Sequence, residues 1–495
     1  MHKRGSGILL HISSLPSPYG IGDLGPNAYR FADFLAQTNQ CFWQVLPLSP
    51  TSPRHNFSPY SSISTHAFNP LLLSPDLLYK DNYISKSDLI IYPDQNPNKV
   101  SYSDALTHKS KLIEIAFSTA QKKGPSTEFD HFCHTHKSWL DDHAIFTALS
   151  SHFQNQPWGS WPMQIQNRQT EALNDLRATL HTQIQKEKFS QFLLQNQWNT
   201  LKEYCHSLGI QLIGDLPMFV SYDSSDVWTN KSFFKLTYSN QPEFYAGAPP
   251  DRFNSQGQIW HNPVYNWQNL QNSGYSWWIN RFERSFELFD ILRIDHFRGL
   301  VAFWEIPAIL NDATKGYWQH VPVEDFFNTV FKHFYSFPII AEDLGTITPD
   351  VREIMARFQF PGTKVLLFGF DKNNPSHPYL PHNYNKNSMA CTGTHDTNTI
   401  RGWFEHDAEK AEKDNFCRYI GETPTPENVN WKAIRLLMSS AADMVIFPLQ
   451  DIIGQGSSSR MNIPGTAKGN WEYRFTFDPI TEEIKNRLKE MTFTF

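Results

Sequence analysis

Short apolar runs recur along the chain, each closing on polar or charged residues: residues 7–12, 42–48, 211–216, 291–294, 339–341, 365–370, 389–392 and 444–449. None alternates with a period of two, and continuous apolar runs of this length predict strands covered on both faces, as in a parallel sheet with helices outside. Several connecting segments carry helical spacing. Tyr29, Phe31, Ala32, Phe34 and Leu35 repeat over 27–37 behind Pro26, and Phe326, Phe327, Val330, Phe331 and Phe334 share a face. Thr348-Pro349-Asp350 reads as a helix start, with a capping residue, a proline at the first turn and an early acid. Eight such strands with helices between them predict an α/β fold, a (β/α)8 TIM barrel, whose usual core needs about 250 residues.

The surplus length must then sit in insertions. The pattern assigns 1–50 to barrel strands 1 and 2, and 51–209 to a mostly helical inserted subdomain, closed by a helix that ends near Gly209. Residues 210–220 carry strand 3. Residues 221–287, rich in Trp, Asn, Gly and Pro, read as an aromatic, loop-rich insertion on the face where a barrel keeps its site. Residues 288–495 supply strands 4 to 8 and a C-terminal segment, with no convincing helix over 371–388.

Composition narrows the partners. The 495 residues carry 43 Lys plus Arg against 49 Asp plus Glu, a net charge of −6, so there is no electrostatic footprint for nucleic acid or anionic lipid. No apolar window is long enough to span a bilayer, and the apolar start stops at Ile12 without a cleavage site, which predicts a cytoplasmic protein with no membrane partner. Five scattered cysteines without CxxC spacing predict reduced thiols rather than a disulfide or zinc framework. Aromatic residues make up 15% of the chain, and most of them are expected in the core.

One motif misleads. Gly20-Ile-Gly22-Asp-Leu-Gly25 matches a dinucleotide fingerprint, but a Ser/Pro-rich gap separates it from the strand, and no acidic residue lies between Asp33 and Asp76 to hold a ribose. A glycine-rich turn is the reading. The stronger constellation is three carboxylates at predicted strand ends: Asp295 in LRIDHFRG, Glu342 in IIAEDLG and Asp396 in TGTHDT. Retaining chemistry at a glycosidic bond needs one carboxylate as nucleophile and another as acid and then base, and a third can stabilise the oxocarbenium-like charge. Arg293, two residues before Asp295, shares its strand face, where it serves either as a barrel salt bridge or as the partner of that nucleophile. His296 and His395 adjoin the carboxylates, Asp215 ends the third strand, and Tyr60 and Trp260 sit on loops of the site face as platforms for a sugar ring. Alternation puts only one of Glu342 and Asp343 inward, and the apolar pattern does not choose between them.

The segments SGILLHISSLPSPYGIGDLG, WQVLPLSPT, SPYSSISTHAFNP, IGDLPMFVSYDSSDVW, GAPPDRFNSQGQIWHNPVYNW, LRIDHFRG, AEDLG, GTHDTNT and RMNIPGTAKGNWEYR resemble the 4-α-glucanotransferases, or amylomaltases, an α-amylase-like retaining family. The resemblance runs nearly end to end and is weakest over 76–203. It implies Asp295 as nucleophile, Glu342 rather than Asp343 as acid/base, and Asp396 as transition-state stabiliser. It further implies sugar contacts for Arg293, His296, His395, Asp215, Tyr60, Asp371 and Asn462, and a covering loop around Pro249, Pro250, Asp251 and Trp260. The implied reaction moves a segment of a malto-oligosaccharide or α-1,4-glucan donor to a glucose or glucan acceptor, without cofactor or metal. The carboxylates alone leave open an α-1,4-glucan hydrolase, or an inactive carbohydrate-binding barrel. Where the family often has PLGPTG, this chain has PLSPTSPRHNFS, with Arg54 and His55.

Overall fold

The computed structural model describes residues 4–91, 96–250, 254–371 and 373–495. Twelve strands follow in chain order: β1 (Gly5–Leu9), β2 (Phe42–Gln44), β3 (Gln211–Leu216), β4 (Phe244–Ala248), β5 (Gln258–Pro263), β6 (Ile291–Ile294), β7 (Ala302–Pro307), β8 (Tyr317–His320), β9 (Ile339–Ala341), β10 (Gly362–Val365), β11 (Ser388–Cys391) and β12 (Met444–Pro448). Eight of them close a barrel in the order β1-β12-β11-β10-β9-β6-β3-β2, with each neighbouring pair parallel. The predicted (β/α)8 barrel is the fold.

Burial explains the pattern. β6, β9, β11 and β12 are buried at every residue, because side chains on one face fill the barrel and those on the other meet the helices. Close approach is needed between β1 and β2: a Cβ on Gly7 would lie 2.4 Å from the Phe42 carbonyl oxygen. The helix Pro26–Gln37 starts on a proline at its first turn and buries Ala28, Phe31, Ala32, Phe34 and Leu35, the apolar face its spacing predicts. The long helix His181–Ser207 ends where expected. Gly209, at φ +75°, takes the left-handed turn that returns the chain to β3.

Two predicted elements differ. The sixth barrel strand is β10, and the apolar run expected as that strand becomes a 3₁₀ turn, Leu366–Gly369. Gly362-Thr-Lys-Val escapes an apolar search because Thr363 and Lys364 interrupt it, while Leu366 and Leu367 are buried by the turn and Phe368 stays 39% exposed. The second difference is a four-stranded antiparallel sheet in the order β5-β4-β7-β8. It draws β4 and β5 from the stretch expected to be loops, and β7 and β8 from beyond the fourth barrel strand. Trp260 therefore lies on a strand, not a loop.

Residues 51–209 hold the helices Tyr102–Lys123, Thr127–Thr135, Lys137–His152, Thr170–Thr179 and His181–Ser207. The ammonium of Lys109, 1% exposed, donates to the Leu71 and Leu73 carbonyls at 2.7 and 2.8 Å and lies 3.3 Å from Asp23, tying these helices to the turn after β1. Among the described residues no helix is long and apolar enough to cross a membrane.

Candidate active site

Because all eight barrel strands are parallel, their C-terminal ends share one rim, and the candidate carboxylates follow from where strands stop. Asp295 is the first residue after β6 and Glu342 the first after β9. Ile294 and Ala341, which precede them, are register partners, so the two backbones run about 4.8 Å apart, the spacing of adjacent strands. Asp396 lies further on, in the loop after β11.

Register also builds the cationic centre. Asp215 of β3 stands opposite Arg293 of β6, and Asp295 is two residues beyond Arg293 on the same face. One guanidinium nitrogen of Arg293 thus donates to both Asp215 oxygens at 2.8 Å and reaches Asp295 Oδ1 at 3.0 Å. Asp215 has a side-chain exposure of 0%, against 30% for Asp295. Asp215 thus sits behind Arg293, with Tyr60 Oη donating to it at 2.8 Å, while Arg293 and Asp295 line the cleft. Burial pushes the Asp215 carboxyl up and Arg293 opposes it. Replacing Arg293 with Met leaves that buried carboxyl unpaired. Denaturant unfolding is expected to show a loss of about 3–5 kcal/mol, partly recovered by adding Asp215→Asn, whereas an unchanged midpoint would show that the pair carries no stability.

Glu342 and Asp343 are sorted by their contacts. Glu342 lines the cleft, accepting the His296 N–H at 2.7 Å and the Leu344 N–H at 3.2 Å. Asp343 points to the other side, where it accepts the Thr363 N–H at 2.7 Å and lies 3.9 Å from Lys364. Burial is the main cause that raises the Glu342 carboxyl to about 7; Asp295 and Asp343 raise it further, while Arg293 and the His296 N–H hold it down. His296 delivers that N–H from a left-handed conformation at φ 48°, a strained backbone of the kind that gathers at functional sites. Burial lowers its own imidazole to about 4, so it is neutral near pH 7.

Asp396 is 45% exposed and accepts from the Asn462 amide at 2.6 Å, with His395 Nε2 3.4 Å away. Asn462 is thus spoken for by a carboxylate as well as facing the cleft. The Tyr60 ring stacks on His395 at 5.1 Å and 18°, so one of its faces is covered. Trp260 meets the His296 ring edge-on at 4.8 Å. Asp371 lines the cleft beside His377, 3.3 Å away. Pro250 also lines it, while Asp251 lies outside the described residues. Two contributors escaped the sequence reading. Arg460 donates to the Asp396 carbonyl at 3.1 Å, and Trp471 packs against both Tyr60 and His395. Both fall in RMNIPGTAKGNWEYR, and that motif was their only signal.

These residues enclose a cleft of about 1680 Å³, above the 300–1,000 Å³ usual for small-molecule pockets, which suits an extended ligand. With a carboxyl whose proton is held up to about pH 7 beside one held against a guanidinium, the arrangement can donate a proton to a leaving oxygen while attacking the carbon behind it.

Residues 10–480 match the profile of a family described as 4-alpha-glucanotransferase. Proteins named 4-alpha-glucanotransferase from Synechocystis sp. and Aquifex aeolicus are each 41% identical to the chain. The first match spans 498 residues, 99% of this chain and 98% of the relative; the second spans 473 residues, 96% of each. A solved structure described as amylomaltase from Streptococcus agalactiae in complex with acarbose superposes with a TM-score of 0.95 at 39% identity, covering 99% of both chains.

Proposed function

The chain belongs to the 4-alpha-glucanotransferase family and is an enzyme of that type, and from this premise we propose how its residues divide the reaction. An α-1,4-glucan donor lies along the cleft with the scissile bond over Asp295 and Glu342. The Asp295 carboxylate attacks the anomeric carbon while protonated Glu342 gives its proton to the glycosidic oxygen, and the shortened chain leaves. A β-linked glycosyl ester on Asp295 results. The 4-hydroxyl of a glucose or glucan acceptor then loses its proton to Glu342 and attacks the same carbon, releasing Asp295. Two inversions return the α configuration.

The other residues support these two steps. Asp396, steadied by Asn462 and Arg460, places negative charge beside the ring as oxocarbenium character develops. Arg293 orients Asp295, and His296 and His395 offer hydrogen-bonding edges to sugar hydroxyls. Trp260, Tyr60 and Trp471 supply apolar surface for sugar rings. A net charge of −6 suits an uncharged partner, and five unpaired cysteines among the described residues suit the cytoplasm.

The observation that carries this reading is the contrast between neighbouring strand ends, Asp295 at 3.0 Å from Arg293 and Glu342 raised to about 7. Incubation with maltotriose, following the product ladder and total reducing ends together, tests it. Longer oligomers plus glucose at constant reducing ends are expected. A rise in reducing ends would mean that water is the acceptor, and unchanged chain lengths would leave only binding.

A further inference from the structure

We propose that Asp451 is a positioning residue for the reaction, clamping both ends of the loop that carries His395 and Asp396. Asp451 lies just past β12, in the short helix Leu449–Ile452, and is 1% exposed. One of its oxygens accepts the Thr392 hydroxyl at 2.5 Å and the other accepts the Ile400 N–H at 2.8 Å. Thr392 follows β11 directly and Ile400 opens the next helix. The intervening residues 393–399 are therefore a loop whose two ends are fixed by a single carboxylate. Asp451 is itself anchored, its carbonyl accepting the Asn430 amide at 2.7 Å.

The chemistry of the site makes a purely packing role an expensive one. A buried carboxylate is costly, and among the described residues no cation pairs with Asp451. Burial raises it to about 6, and its two donors are what oppose that rise. An aliphatic side chain would fill the space without that cost; it could not hold both ends of the loop at once. The loop it holds has a demanding task. Asp396 is 45% exposed, and within the loop its backbone is fixed by the Thr394 hydroxyl at 3.2 Å. The Asn462 amide and Arg460 steady it from a different segment. If Thr392 or Ile400 moves, the carboxylate moves relative to those partners and to the sugar, and displacements near 1 Å at a reacting centre cost about 100-fold in rate. Asp451 is not among the cleft-lining residues, so it acts through Asp396 and not on substrate.

The inference rests on the proposed role of Asp396, and the experiment separates the two. Asp451→Leu removes both links, Thr392→Val removes one, and Asp451→Asn can keep both, its oxygen accepting from Ile400 and its amide donating to the Thr392 hydroxyl. With maltotriose, kcat is expected to fall about 100-fold for Asp451→Leu and about 10-fold for Thr392→Val, with KM within about twofold of the parent, while Asp451→Asn stays within about threefold. Should Asp451→Leu fail to fold, Thr392→Val carries the test. In an Asp396→Asn background, assayed with an α-maltosyl fluoride donor, adding Thr392→Val is expected to change the rate less than about twofold. Parent-like kcat in Thr392→Val, equal damage in Asp451→Asn and Asp451→Leu, or an undiminished effect in the Asp396→Asn background would each overturn the inference. Near-normal activity of Asp396→Asn alone would instead overturn the role of Asp396 on which it stands.

Discussion

Asp295→Asn is expected to lower kcat for maltotriose disproportionation by at least about 10⁴-fold, the scale seen when a covalent nucleophile is removed. The amide has almost the volume of the carboxylate, and its oxygen can still accept from Arg293, which reaches Asp295 at 3.0 Å. Asp215 keeps that guanidinium in place through two bonds of its own at 2.8 Å. The cleft should therefore stay assembled. What disappears is the negative charge that makes the attacking oxygen a nucleophile toward the anomeric carbon. Calorimetric titration should give a glucan affinity within a few-fold of the parent. Turnover above about 1% of the parent would show that another group forms the covalent bond.

Glu342→Gln is the second large effect, because it separates the acid/base step from the rest. Proton transfer by a placed side chain is worth about 10²–10⁴-fold, and a loss in that range is expected with maltotriose, whose leaving oxygen needs a proton. The parent should lose activity as pH rises through about 7, as Glu342 gives up its proton; with a fluoride donor the first step needs no acid and that alkaline limb should vanish. Stability should fall over the same range. The folded carboxyl is raised above its unfolded value, so the stability tied to its protonated form is full below the unfolded value and is lost as pH rises through about 7. Glutamine never ionises. Glu342→Gln should melt above the parent at pH 8.5, with the difference gone by pH 4, and equal melting at both pH values would show that burial does not strain this carboxyl.

Much of this was legible in the chain before any coordinates. The barrel strands stand out because burial on both faces removes polar residues from them, as in Ile339–Ala341 and Met444–Pro448. β10 was hidden for the opposite reason, since Thr363 and Lys364 break its apolar run. The antiparallel sheet could not be read locally. β4 (FYAGA) and β5 (QIWHNP) are half-exposed and carry Gly, Asn and Pro, and β4 pairs with β7 across the barrel strand β6 that lies between them in sequence. Asp295 and Glu342 were visible because strands end where they sit. Whether a strand-end acid faces the cleft depends on its lateral neighbour, however, and only the register of Asp215 against Arg293 shows that Asp215 stands behind the centre. Arg460 and Trp471 reach the site from a segment that follows the last barrel strand, which no periodicity announces. The aromatic excess went largely where packing predicts: Trp43, Trp158, Trp198, Trp228 and Trp278 are fully buried.

The central claim is that a glucan segment is held on Asp295 between donor and acceptor, with Glu342 serving both transfers. Glu342→Gln offers the most direct look. Mixed with α-maltosyl fluoride, it can form the ester without an acid but lacks the base that would activate an acceptor, so the intermediate should accumulate. Mass spectrometry of the quenched protein is predicted to find one added maltosyl group, and peptide mapping to place it on Asp295. Fluoride release with no adduct, or an adduct on Asp396 or Asp215, would contradict the account.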